Sequence, residues 1–201
     1  APAGSDAGDT TYFCIVDAAG HAVSAIQSLC LPFGAAYVAG DTGVLLNNRM
    51  TQWSLADGHP NRLEPGKRVR HTMAAPFVLR DGRLWAVFGT PGADNQLLTH
   101  LHTLAGLIDF GLDPQRVLES PRAMIMPPRR RAGVARDDEE ILAVERDIGA
   151  DALAGLAERG HRVAALPERA GSGSVALIRL LDNGVRMAAS DPRMDGWAAA
   201  C

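Results

Sequence analysis

The run GDTTYFCIVD at residues 8–17 is the strongest structural signal in the chain. Its part Thr10–Val16 is rich in β-branched and aromatic residues, with apolar side chains on both faces, which predicts a buried strand. A turn at Asp17 to Gly20 follows, and residues 21–29 (HAVSAIQSL) return to a strand-like pattern. We therefore predict a β-hairpin whose first strand starts at Thr10.

A second hairpin is predicted in the middle of the chain. Strand-like segments at residues 74–79 and 84–88 flank Arg80 to Arg83, whose Asp-Gly pair is typical of tight hairpin turns. The second segment ends in the turn at residues 89–92. From Asp94 onward, apolar residues recur at helical spacing and predict a buried amphipathic helix that Gly111 ends. The apolar residues are Leu97, Leu101, Leu104 and Ile108.

The last third of the chain continues the alternation of strands and helices. A basic, proline-rich run at residues 127–131 is predicted to be a solvated loop, and a strand at 141–145 follows it. A helix from about residue 150 to 159 ends at Gly160. Antiparallel strand pairs interleaved with helices predict a layered α/β sandwich of one domain. The remaining strands are expected near Val163, Val175 and Val185.

Composition limits the classes of function. The chain has 201 residues, is 47% hydrophobic and carries a net charge of −3, which suits one globular domain. Its 20 basic and 23 acidic residues leave no broad positive surface for nucleic acid or an anionic membrane, so we expect a small-molecule or peptide substrate. Residues 1–9 lack the features of a signal peptide and are predicted to be a flexible lead-in to a domain at 10–201.

No cofactor or metal is expected from the sequence. Cys14, Cys30 and Cys201 match no zinc or CxxC spacing, and Cys14 and Cys30 are predicted to be small buried apolar residues. The turn at residues 89–92 lacks the Gly-Lys-Ser/Thr ending of a phosphate-binding loop, and no cluster of His, Cys and carboxylates has metal-ligand spacing.

The run at residues 8–17, followed by Gly20 and residues 22–24, resembles the start of the small subunit of the gamma-glutamyltransferase family. The resemblance spans residues 8–197, and it implies an α+β fold, the four-layer αββα sandwich of the N-terminal-nucleophile (Ntn) hydrolases. This chain would be the small-subunit half, completed by a large subunit of the same precursor. Further blocks agree in order: GVLLNNRM (43–50), EPGKR (64–68), HTM (71–73), GTPGA (89–93), IDFGLDP (108–114), SPR (120–122) and ASDPRMDG (189–196).

The resemblance implies that Thr10 is the nucleophile. In such enzymes the precursor cuts itself before a threonine, whose hydroxyl then attacks the substrate carbonyl while the freed α-amino group takes the proton. Nine residues precede Thr10 here, so its nitrogen is still an amide and the expected site is not mature. The chain is then an excised piece of a precursor, an unprocessed subunit, or a chain whose definition includes a lead; the sequence does not separate these.

Backbone and hydroxyl groups near Thr10 are implied to assist it. The N–H groups of Gly92 and Ala93 would form an oxyanion hole for the tetrahedral intermediate. Many relatives have glycine at the second position, and Ala93 can serve if its φ is negative. Ser28 falls where the family places a hydroxyl that hydrogen-bonds to the nucleophile across the hairpin. The alternatives are a plain tight turn and an ordinary strand serine.

Four further residues are implied to contact the substrate, and they differ from the glutamyl-specific pattern. His71 and Thr72 stand where glutamyl-transferring members carry a serine pair, which resembles the acylase-like branch instead. Gln52 replaces an acidic residue that holds an α-ammonium group, and Arg49 lies nearby in sequence. This exchange favours an anionic or carbonyl-bearing acyl group and makes glutathione a doubtful substrate. The linker at residues 54–68 is also short, as in acylase-type members.

The sequence leads to a self-processing amidohydrolase or acyltransferase that works through an acyl-Thr10 intermediate. Two alternatives stay open: a true gamma-glutamyltransferase or glutathione hydrolase, and an unprocessed, non-catalytic subunit that only completes a large partner subunit. The acyl group, the acceptor and the compartment are not determined, although the cytoplasm is favoured over the periplasm or secretion.

Overall fold

The computed structural model describes residues 10–126 and 140–200. The predicted lead-in at residues 1–9 and the predicted basic loop at 127–131 lie outside the described residues. The strands of the described part are β1 Thr10–Val16, β2 Ala22–Ser28, β3 Phe77–Arg80, β4 Arg83–Gly89, β5 Ala123–Met126, β6 Ile141–Glu145, β7 Val163–Leu166, β8 Ala176–Leu180 and β9 Arg186–Ser190. Its helices are α1 Gln96–Ile108, α2 Pro114–Glu119 and α3 Ala150–Glu158, with short 3-10 turns at Arg49–Gln52, Ala93–Asn95 and Arg146–Ile148.

The strands form three sheets. Strands β1 and β2 pair as the predicted antiparallel hairpin, in a register that sets Thr10 opposite Ser28. A four-stranded antiparallel sheet has the order β3-β4-β8-β9, and β3 and β4 form the second predicted hairpin. The third sheet has the order β5-β6-β7, in which β6 and β7 are parallel and are joined through α3.

The four-stranded sheet is covered on two sides. The hairpin β1-β2 packs on one face, where the ring of Tyr12 lies so close to Gly89 that a Cβ there would meet it at 2.3 Å. Helices α1 and α2 pack on the other face, where Phe88 of β4 contacts the buried His100 of α1 edge to face. This order of layers places the start of β1 beside the end of β4. The main apolar core consists of Trp85, Ala86, Phe88, Leu107, Val117, Leu118, Val175, Leu177 and Ala189.

Two predictions about burial were wrong. In β1 only one face is covered: Tyr12 is buried, but Phe13 is 48% and Ile15 54% exposed. In α1 most of the predicted apolar stripe faces outward, because Leu97 is 72%, Leu101 64% and Ile108 53% exposed, whereas Leu104 packs against the core as predicted. Most of the residues that α1 buries are small or polar, which a hydrophobic period cannot reveal. These buried residues are Gln96, Thr99, His100, Thr103, Gly106 and Leu107.

Smaller differences have local causes. Strand β3 begins at Phe77 rather than residue 74, because Pro76 has no N–H for the ladder and the Ala74 N–H donates to Gln96 Oε1. Cys14 and Cys30 are half-buried, not buried. Sequence reasoning also missed β5 and α2, although α2 has a clear start signal: Asp113 caps it through the Arg116 N–H, and a proline follows at the first position.

Candidate active site

Thr10 and Ser28 face each other across the hairpin. The hairpin register makes them direct partners, so both side chains point to the same face of the two strands. Thr10 Oγ1 donates a hydrogen bond of 2.8 Å to Ser28 Oγ. Ser28 Oγ also accepts the backbone N–H of Cys30 at 2.9 Å. The serine hydroxyl is therefore held in place by its own strand end while it contacts the threonine hydroxyl.

Arg49 reaches the same hydroxyl from a distant loop. Its Nη2 donates to Ser28 Oγ at 3.1 Å. Two asparagines hold this loop: Asn48 exchanges hydrogen bonds with the chain after β2, and Asn47 Oδ1 accepts the Arg49 N–H. The asparagine pair of the GVLLNNRM block therefore anchors the guanidinium beside Thr10 and Ser28. Within residues 10–126 and 140–200, no carboxylate forms an ion pair with Arg49.

The turn after β4 contains Gly92 and Ala93. Gly92 has a φ of 134°, a conformation that suits glycine alone, and Ala93 has a φ of 49°. Ala93 therefore does not meet the condition of a negative φ: the first residue of this 3-10 turn lies in the left-handed region. A glycine at this position would have no such strain. The N–H groups of this turn belong to the backbone, so the residue type at position 93 does not remove them.

The other predicted substrate contacts are His71, Thr72 and Gln52. His71 is exposed, and its Nδ1 accepts the backbone N–H of Met73 at 3.2 Å. Gln52 is also exposed, and its backbone carbonyl oxygen accepts a hydrogen bond from Asn61 Nδ2. Thr72 is half-buried. Among the described residues, none of these three hydrogen-bonds to Thr10 or Ser28, whereas hydrogen bonds join Thr10, Ser28 and Arg49.

Sequence reasoning missed a buried network of two arginines and two carboxylates. Arg193 Nε donates to Glu145 Oε1 at 2.8 Å, its Nη2 contacts Glu145 Oε2, and its Nη1 lies 3.0 Å from Asp191 Oδ1. Arg122 Nη2 lies 2.7 Å from Asp191 Oδ2 as an ion pair without hydrogen-bond alignment. All four side chains are almost fully buried. The SPR and SDPR motifs carried the signal, because they supply three of the four residues.

The pKa shifts in the network follow from burial and pairing. Burial alone would raise the pKa of Glu145, but hydrogen bonds from Arg193 and from the Gly171 and Arg122 N–H groups hold it below its ordinary value. Burial would lower the pKa of Arg193, yet Glu145 and Asp191 raise it. Burial outweighs Asp191 at Arg122, whose pKa is lowered. The network therefore holds two charged pairs in a site without water access.

Two general features of the described chain bear on function. Over residues 10–126 and 140–200, no group of three or more His, Cys, Asp and Glu side chains could hold a metal ion. No helix in that part is both long and apolar enough to cross a bilayer.

Sequence comparison identifies relatives over nearly the whole chain. The family model described as gamma-glutamyltranspeptidase matches residues 2–201. The glutathione hydrolase-like YwrD proenzyme of Bacillus subtilis is 36% identical over 198 residues, which cover 98% of this chain and 36% of that protein. The oxamate amidohydrolase proenzyme of Klebsiella pneumoniae is 35% identical over 198 residues, with coverage of 98% and 36%. The chain thus spans about a third of the length of these relatives.

Solved structures agree with the sequence relatives. Cephalosporin acylase from Bacillus halodurans superposes with a TM-score of 0.81 at 30% identity, over 94% of this chain and 34% of that one. Gamma-glutamyltranspeptidase from Pseudomonas nitroreducens, complexed with L-DON, gives a TM-score of 0.76 at 26% identity, over 95% of this chain and 99% of that one. These likenesses confirm the α+β fold class of the Ntn hydrolases. The chain belongs to the gamma-glutamyltranspeptidase family.

Proposed function

We propose that this chain is the catalytic small half of a self-processing amidohydrolase or acyltransferase whose nucleophile is Thr10. The observation that carries the proposal is the hydrogen bond between Thr10 Oγ1 and Ser28 Oγ at the first residue of β1. A threonine at that place can become a chain terminus by one cleavage without disturbing the hairpin, since β1 begins with it. Relatives named as proenzymes support the need for such a cleavage.

The mechanism follows from the groups around Thr10. After cleavage, the free α-amino group, with an ordinary pKa of about 8, takes the hydroxyl proton as Oγ1 attacks the amide carbon. The Gly92 and Ala93 N–H groups receive the negative oxygen. The amine leaving group departs with a proton, which leaves an ester on Thr10. Water or a second amine then attacks the ester and frees the enzyme.

Arg49 supports an amide substrate with an acidic acyl group. Its guanidinium lies beside the reacting hydroxyl and has no carboxylate partner in the described part of this chain. A partly buried cation of this kind favours a substrate carboxylate, which it can bind through two N–H groups. Gln52 offers no negative charge to a substrate ammonium group. The similarity to an oxamate amidohydrolase, whose named substrate carries a carboxylate, supports the same class.

Cleavage of the full-length precursor tests the nucleophile. The wild type should yield a new chain that starts at Thr10, Thr10→Ala should stay uncut, and Thr10→Ser should be cut because it retains the hydroxyl. N-terminal sequencing and intact mass measure the result. Thr11→Ala, on the exposed face of the same strand, is the matched control and should be cut normally. Cleavage of Thr10→Ala, or none in the wild type, would favour the non-catalytic subunit.

Two chromogenic anilides test the acyl group. We expect the mature enzyme to hydrolyse glutaryl-4-nitroanilide in preference to γ-glutamyl-4-nitroanilide, which carries an added ammonium group. Arg49→Gln should reduce kcat/KM for the glutaryl compound about 10- to 100-fold, since a charge-assisted hydrogen bond is lost. Arg83→Gln, an exposed change on β4, serves as control. Preference for the γ-glutamyl compound would indicate a glutathione hydrolase, as named for an Escherichia coli relative at 32% identity.

A further inference from the structure

Thr90 holds the turn after β4 from its buried side. The residue is fully buried, and its Oγ1 donates a hydrogen bond of 2.7 Å to the carbonyl oxygen of Pro91. The same Oγ1 accepts the backbone N–H of Ser174 at 2.9 Å. A threonine hydroxyl has a single hydrogen to donate, and Ser174 occupies one of its lone pairs. The hydroxyl hydrogen is therefore directed at Pro91.

The Pro91 carbonyl and the Gly92 N–H belong to one planar peptide group. In a trans peptide these two groups point in opposite directions, and no cis bond occurs in the described part of the chain. A hydrogen bond that fixes the carbonyl of Pro91 also fixes the direction of the Gly92 N–H, away from Thr90. We propose that Thr90 is the positioning residue for the Gly92 N–H; this inference rests on the proposed function, in which that N–H receives the oxyanion.

The segment at residues 171–175 packs behind Thr90. A Cβ at Gly173 would lie 2.4 Å from Thr90 Oγ1 and 2.8 Å from the Pro91 carbonyl oxygen, so a glycine is required for this approach. Gly173 also has a φ of 84°, which favours glycine. This close contact places the Ser174 N–H within hydrogen-bond distance of Thr90 Oγ1. The orientation of the hydroxyl thus depends on a second segment, distant in sequence.

The buried ion network holds that segment. Glu145 Oε1 accepts the Gly171 N–H at 2.7 Å, and Asp191 Oδ2 accepts the Val175 N–H at 3.1 Å. Arg122 Nη1 donates to the Ser172 carbonyl at 3.3 Å. Charged groups therefore bind the backbone on both sides of Gly173. The network is thus linked to the peptide that carries the Gly92 N–H through the backbone of residues 171–175, which it holds, and through the hydrogen bonds Ser174 N–H to Thr90 and Thr90 to Pro91.

Thr90→Val and Thr90→Ser in the full-length precursor test the proposal. Valine has nearly the same shape but lacks the hydroxyl, whereas serine retains it. After maturation, Thr90→Val should lower kcat for the better-hydrolysed anilide about 10- to 100-fold with little change in KM, somewhat less than the loss of an oxyanion donor. Thr90→Ser should stay within about threefold of the wild type. A crystal structure of Thr90→Val should show the Pro91–Gly92 peptide rotated from its wild-type orientation, a readout that needs no substrate.

Several outcomes would overturn the role of Thr90. A wild-type kcat in Thr90→Val, an unrotated peptide in its crystal structure, or equal losses in the valine and serine variants would each do so. If Thr90→Val does not fold, Thr90→Ala carries the same test. Alanine also removes the hydroxyl, but it leaves a small space where valine would place a methyl group against the Pro91 carbonyl oxygen and the Ser174 N–H. Activity in Thr10→Ala would contradict the proposed function instead, so the two failures are distinguishable.

Discussion

Ala93 is a strained residue at the proposed oxyanion turn. A non-glycine residue in the left-handed region costs about 1 kcal/mol. Replacing it with glycine removes this strain, but part of the gain is offset because glycine makes the unfolded chain more flexible. We expect Ala93→Gly to stabilise the uncut Thr10→Ala precursor by about 0.5 kcal/mol, measured by chemical denaturation. Ala35→Gly, at an exposed site outside the left-handed region, is the matched control and should destabilise by a similar amount. Equal effects of the two changes on stability would contradict backbone strain at Ala93.

At the scale of the element, the outer face of α1 is unusual for a surface helix. Leu97, Leu101 and Ile108 lie on one side of it and are 72%, 64% and 53% exposed. An apolar stripe of this kind marks an interaction surface. Since the chain spans about a third of its relatives, we predict that the large subunit of the same precursor covers this face.

The double change Leu97→Gln with Leu101→Gln tests that prediction. Burial of each leucine contributes about 1.5–3 kcal/mol, so their loss should separate the two cleaved chains in size-exclusion chromatography. Val185→Gln removes another exposed apolar residue, in the turn before β9, and should leave the complex intact. Chains that stay together in the double variant would show that the large subunit does not depend on this face.

At the scale of the whole molecule, the buried ion network links α2, β5, β6 and β9. Glu145→Gln leaves two buried guanidinium groups with one carboxylate, and we expect it to destabilise the uncut precursor by about 3 kcal/mol at pH 7. Chemical denaturation measures this loss. Glu64→Gln, which breaks an exposed pair with Lys67, is the control and should cost less than about 0.5 kcal/mol.

The effect of Glu145 should depend on pH in a stated direction. Its pKa is lowered in the folded protein, so the unfolded chain takes up the proton first as the pH falls. The stabilisation is fully present above pH 4.5, the ordinary pKa of this carboxyl group, and it is lost as the pH falls through the lowered pKa of Glu145 in the folded protein. The stability difference between wild type and Glu145→Gln should therefore shrink below pH 4.5. A constant difference down to pH 3 or so would contradict the pairing.

The sequence by itself determined where most elements lie. β1 and β6 have the predicted bounds, because β-branched runs between turn residues leave little choice. The family motifs identified Thr10, and the hairpin follows from the Asp17 to Gly20 turn. Local chemistry of this kind depends only on neighbours along the chain. It was sufficient for the elements and a layered α/β arrangement, whereas the Ntn fold class and the proposed nucleophile came from the family resemblance.

Only the tertiary structure decided which surfaces meet. It buried the polar side of α1, where α2 approaches so closely that a Cβ at Gly106 would lie 2.9 Å from Val117. It brought Arg49 to Ser28, although 21 residues separate them. It also paired Arg193 with Glu145. Contacts between distant segments depend on shape and charge in three dimensions, which no periodicity along the chain records.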